Sequence, residues 1–159
     1  MIFISHKKED KDKALEIHKY LKQKGVDSYI DVLDPNISYK NVTERIVEQL
    51  REATHLIVVF SEYTKDSMWV PFELGIAYER NNGIGIYLWP DTDYLPIKLP
   101  EYLDEFPIME TENDLDEYIE LYQNQKPSII MERRGFMDST SIKNYAQRFI
   151  DELKHRLEK

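Results

Sequence analysis

Two residues equipped for chemistry stand one helical turn apart in SMWVPFELGIAYE, residues 67 to 79: Trp69 and Glu73. Side chains four positions apart share a helix face, roughly 6 Å along the axis, so the indole can support the carboxylate or wall a pocket above it. A carboxylate among Phe72, Leu74 and Ile76 either faces solvent or serves a site. Other chemistries are sparse. There is no cysteine, which removes disulfides, thiolate nucleophiles and thiolate metal ligands together and fits a reducing compartment. His6, His18, His55 and His155 show no metal-ligand spacing such as HExxH, and no metal is expected. GIG at 83 to 85 lacks the third glycine of a dinucleotide loop and precedes a strand, so it reads as a tight turn into that strand. Walker, GxSxG and kinase motifs are missing.

The elements that must position Glu73 follow from hydropathy. Short apolar runs alternate with amphipathic segments, which predicts an α/β fold with a mostly parallel sheet. MIFIS (1 to 5), VDSYIDV (26 to 32), THLIVVFS (54 to 61), GIGIYLW (83 to 89) and FPIME (106 to 110) read as five strands. THLIVVFS is the clearest, an uninterrupted β-rich run suited to the centre of a parallel sheet. Helices are predicted over 10 to 24, with Ala14, Ile17 and Leu21 inward, and through residue 53, with Val42, Ile46, Leu50 and Ala53 inward. Leu115, Tyr118, Ile119 and Tyr122 form a further stripe, followed after NQKPS by a short strand or turn at 129 to 132. The last helix, about 140 to 158, carries Ile142, Ala146, Phe149, Ile150, Leu153 and Leu157 on one face.

At 159 residues the chain has the size of one domain, and 42% hydrophobic with 32% charged residues is the composition of an ordinary globular protein. The formal net charge of −9 repels phosphate backbones, so no nucleic-acid partner is expected. MIFISHKKEDKDK becomes charged too soon for a signal peptide, and no apolar run approaches the roughly 20 residues needed to span a bilayer. A cytoplasmic protein with no membrane partner is the expectation.

In open α/β sheets ligands bind beyond the carboxyl ends of the strands, which directs attention to Ser5 through Lys8, to 31 to 41 and to 61 to 73. A response-regulator receiver shares this alternation, but the third strand here ends in VVFSEY, with serine in place of a phosphoacceptor aspartate. FISHKKED, YIDVLD with its long loop, and VVFSEYTKDSMWVPFELGIA together resemble a TIR (Toll/interleukin-1 receptor) domain. Ser61, Tyr63, Ser67, Trp69 and Glu73 approximate the family pattern SxxYxxSxWxxxE, with Tyr63 one place early. The similarity covers about residues 1 to 122, so the expected organisation is a domain core at 1–122 and a C-terminal extension at 123–159 whose amphipathic helix packs on that core. The implied architecture is a flavodoxin-like α/β fold, a central five-stranded sheet flanked by helices.

In the catalytic branch of that family the WxxxE glutamate is required for cleaving NAD⁺ at the nicotinamide–ribose bond, a role that by resemblance falls to Glu73. The chemistry agrees: the bond breaks to neutral nicotinamide and an oxocarbenium-like ribose, which a fixed carboxylate stabilises. NAD⁺ is then a substrate, and no cofactor is implied. The resemblance further implies substrate contacts from Ile4, Ser5, His6, Lys7, Asp31, Asp34, Tyr39, Ser67 and Trp69, with His6 replacing a frequent tyrosine. The loop at 33–41 corresponds to one that joins neighbouring TIR domains, implying a homo-oligomer, although Lys40 and Asn41 stand where a glycine is usual. Similarity to the stand-alone TIR component of Thoeris anti-phage systems implies an ADP-ribose or cyclic ADP-ribose signal passed to a separate effector protein. Two alternatives remain: a non-catalytic TIR adaptor, and a nucleoside deoxyribosyltransferase-like enzyme.

Overall fold

The computed structural model describes residues 1–89, 99–131 and 139–158. Five strands, β1 (Ile2–Ser5), β2 (Ser28–Tyr29), β3 (His55–Phe60), β4 (Gly83–Leu88) and β5 (Ile108–Met109), form one sheet in the order β2-β1-β3-β4-β5. Every pairing is parallel. This is the flavodoxin-like order, in which the chain reverses direction across the sheet between β1 and β3. Among the described residues five α-helices cover it: α1 (Lys11–Gln23), α2 (Val42–Glu52), α3 (Trp69–Glu79), α4 (Glu112–Met131) and α5 (Ser139–Leu157). Among the described residues no helix is long and apolar enough to cross a membrane.

Strand alternation divides the core into two layers. Ile2, Ile4, Ile57 and Val59 face α1, α4 and α5, where they meet Leu21, Tyr118, Phe149 and Leu153. Phe3, Leu56, Val58, Phe60 and Ile86 face the other way, against Ile46 and Leu50 of α2 and Val70, Leu74 and Ala77 of α3. β3 is buried along its whole length, as an uninterrupted apolar run in a parallel sheet requires.

Three expectations need correction. The second strand shrinks to Ser28–Tyr29, because Asp31–Leu33 turns into a 3-10 helix that ends the pairing. Where a short strand or turn is expected at 129 to 132, α4 continues as helix to Met131, and residue 132 lies outside the described residues. Pro127 removes one backbone donor, and the helix runs through it. GIG is not a turn. Gly83 and Gly85 are strand residues, and a Cβ at Gly83 would lie 2.6 Å from His55 and 2.8 Å from Phe149, while one at Gly85 would lie 2.9 Å from Met109 and Tyr118. These glycines let aromatic rings of α4 and α5 lie directly on the backbone of β4.

Candidate active site

β1 ends at Ser5, and the next residues, His6 and Lys7, leave the sheet at the point where its two neighbours, β2 and β3, diverge. A cavity of about 570 Å³ opens there, within the roughly 300–1,000 Å³ range of small-ligand pockets. It is built from all three strand exits: His6, Lys7, Lys8 and Lys11 after β1, Asp31 and Val32 after β2, and Asp66 to Trp69 after β3, with Glu73 one turn into α3. Val42 and Ile46 of α2 supply apolar wall.

The start of α3 fixes the central pair. Ser67 Oγ accepts a hydrogen bond from the Val70 N–H at 3.1 Å, satisfying a free donor of the first turn, and Pro71 sits in that turn where its missing N–H does no harm. Trp69 is therefore the first helical residue and Glu73 lies one turn deeper. Trp69 is 42% exposed and meets Phe72 edge to face at 5.7 Å, so its ring is a wall at the mouth. Glu73 is 6% exposed, and its Oε2 has no hydrogen-bond partner. Burial pushes its pKa up to about 8; Asp31 adds to that, while Ser5 and His6 oppose it. The Ser5 hydroxyl is close enough to favour the carboxylate without making a bond of full geometry, and Ser5 Oγ is itself unpartnered.

His6 lies beside this group, Nδ1 at 2.9 Å from the Lys7 carbonyl oxygen and Nε2 at 3.0 Å from Asp31 Oδ1. Burial disfavours its charge, but the bond to Asp31, the Lys7 carbonyl and the negative charges of Asp31 and Glu73 outweigh it, and its pKa is raised. Behind the β1 and β3 exits, buried Asp10 receives a 2.5 Å hydrogen bond from Ser61 Oγ and a longer one, 3.4 Å, from Thr64 Oγ1. The Ser61 and Tyr63 N–H groups donate in turn to those hydroxyls, so Asp10 ties the helix entry to the β3 exit.

Of the residues singled out in the sequence, the fold gathers His6, Lys7, Asp31, Ser67, Trp69 and Glu73 around one cavity. It places four elsewhere. Ile4 is 1% exposed, and strand alternation sends its side chain into the core on the α1 face. Ser5 lies beneath Glu73, 0% exposed, where it can act on the glutamate but not on a ligand. Asp34 is held away from the cavity by Arg45 Nε at 2.6 Å, the Tyr29 hydroxyl at 2.8 Å and the Asn36 N–H at 2.9 Å. Tyr39 is 88% exposed on the loop and lines no part of the cavity. Sequence reasoning passed over Lys11, Val42 and Ile46, which do line it. Lys8 and Lys11 stand three apart, the spacing that could have put both on one rim, whereas Val42 and Ile46 looked like core stripe.

Residues 2–126 match the TIR domain family, and the chain belongs to it. Among solved structures, the TIR domain of the Toll-related receptor TRR-2 from the lower metazoan Hydra magnipapillata is similar. It is 18% identical, with a TM-score of 0.57 over 84% of this chain and 97% of that one, a likeness that shows the shared fold. No curated relative matches the chain.

Proposed function

We propose that this TIR domain cleaves NAD⁺ at the nicotinamide–ribose bond in the cytoplasm, releasing nicotinamide and an ADP-ribose or cyclic ADP-ribose signal. The observation that carries the reading is Glu73: a buried carboxyl with an unpartnered oxygen, lining a cavity at the β1/β3 crevice. A buried polar atom left without a partner calls for an explanation, and a cationic ligand supplies one.

The geometry suits a dinucleotide with a positive nicotinamide ring. Lys7, Lys8 and Lys11 line one rim, and among the described residues none of them joins an ion pair, which leaves three cations for a diphosphate. Glu73, Asp31 and the Trp69 ring line the cavity as well, where the pyridinium and its ribose would lie. Arrival of the pyridinium favours the ionised form of Glu73, so binding near neutral pH releases a proton. As the C1′–N bond breaks, its electron pair leaves with nicotinamide and positive charge moves onto C1′ and the ring oxygen, beside the carboxylate. Water then adds at C1′ and loses a proton, giving ADP-ribose, or an internal nucleophile closes a cyclic product.

Self-association through the 33–41 loop belongs to the same proposal. Leu33 is 54% and Tyr39 88% exposed there, while Asp34 pins the loop's stem to α2 through Arg45. The anti-phage role and the separate effector rest on resemblance to Thoeris TIR proteins. The test is incubation of concentrated protein with NAD⁺ and mass analysis of products, beside Glu73→Ala. Nicotinamide released by the first protein and not the second is the expected result. Association without nicotinamide release, in both proteins alike, would establish the adaptor reading instead.

A further inference from the structure

His6 is enclosed, its side chain 3% exposed, with each ring nitrogen against an oxygen. A carbonyl oxygen only accepts hydrogen bonds, and so does an ionised carboxylate. Both nitrogens must therefore donate, and a ring that donates twice is an imidazolium. A neutral ring would turn a lone pair toward one of these oxygens in an enclosed place, where that repulsion is strong. The result is a fixed cation on the lining shared with Glu73, and its counter-ion Asp31 is on the same lining.

Resting on the assignment of Glu73 above, we propose that His6, held as an imidazolium between Asp31 and the Lys7 carbonyl, is a positioning residue that favours the ionised form of Glu73. Asp31 acts on the glutamate in the opposite sense, so while the two charges are together each offsets part of the other's effect. The other charged groups facing this corner are Lys7 and Lys8 after β1, Lys11 at the head of α1, Asp66 before α3, and buried Asp10, which also interacts with His6. The lysines are half-buried or exposed, where solvent screens their effect on Glu73. Among these groups only His6 is both enclosed and bonded to an anion of the lining.

His6→Gln removes the enclosed cation and leaves Asp31, 41% exposed and partly screened, as the unopposed negative charge beside Glu73. The rise of kcat/KM for NAD⁺ cleavage with pH should then move to higher pH by about one unit or more. Adding Asp31→Asn removes that charge and should return the midpoint toward the starting value. A second readout needs no catalysis: the difference in thermal midpoint between the Glu73 and Glu73→Gln proteins, followed against pH, reports ionisation of Glu73 by linkage. It should shift to higher pH in the His6→Gln background in the same way. A shift there with no NAD⁺ cleavage in any protein supports the His6 assignment and overturns the proposed reaction. Rates that fall equally at every pH, with an unmoved linkage midpoint, overturn the His6 assignment and leave the reaction standing. If His6→Gln does not fold, ¹⁵N spectra of the unaltered protein decide: both His6 nitrogens protonated at pH 7 is the expected result, and a neutral ring overturns it.

Discussion

Asp10, at 3% exposure, and Glu73, at 6%, are both buried at the carboxyl end of the sheet, and they are treated differently. Asp10 is enclosed by hydroxyls: Ser61 and Thr64 both donate to it, and these in turn accept from backbone N–H groups. Burial raises its pKa while those donors pull it back. Glu73 has only a nearby serine without a full bond, and burial carries its pKa up to about 8. A carboxyl that accepts from hydroxyls of another segment ties chain segments together. One left open holds its interactions in reserve for a ligand.

Substitutions that exchange or erase the contrast test it. The largest effect belongs to Glu73→Gln, which keeps shape and removes charge: nicotinamide release should fall by about 10³-fold or more in a steady-state assay. The same variant should gain stability. Because Glu73 titrates at about 8 when folded against 4.5 unfolded, the native state holds the proton longer, so stability falls as pH rises between those values. At roughly 1.4 kcal/mol per unit, Glu73→Gln should exceed the unaltered protein by a few kcal/mol above pH 8. The gap should vanish below pH 4.5, as urea melts at several pH values will show. Asp10→Ala should do the reverse, costing roughly 2 kcal/mol in urea denaturation by stranding Ser61 and Thr64, with a far smaller change in kcat than Glu73→Gln. Ser5→Ala is the mildest: stability within about 1 kcal/mol, and a small alkaline shift in the kcat/KM profile, since Ser5 favours the carboxylate.

The contrast also explains what the sequence could reveal. HLIVVF and the Trp69–Glu73 spacing were legible because a central parallel strand must be apolar throughout and because the turn after it must face the crevice. Asp10 was invisible: in KKEDKDK it looks like one more solvated charge, and only the packing of the turn before α1 against the β3 exit buries it. Asp34 and Tyr39 misled for the opposite reason, since a loop's position in the chain does not say which of its side chains its own stem will claim. NQKPS looked like a helix end because proline usually is one, yet α4 continues past it. Gly83 and Gly85 suggested a turn because rings arriving from residues 118 and 149 cannot be foreseen from GIG alone.

That last contact bears on how the protein is made. His55 on β3 and Phe149 on α5 meet with ring centroids 4.7 Å apart, over a backbone that only Gly83 leaves open. The family pattern ends at residue 126, well before Phe149. Strands β1 to β5 are all synthesised before the ring that packs over Gly83. Closure of the sheet therefore waits on a contact spanning most of the chain, the kind that slows folding and leaves apolar surface unguarded meanwhile. A fragment cut where the recognisable pattern stops would keep that surface open permanently.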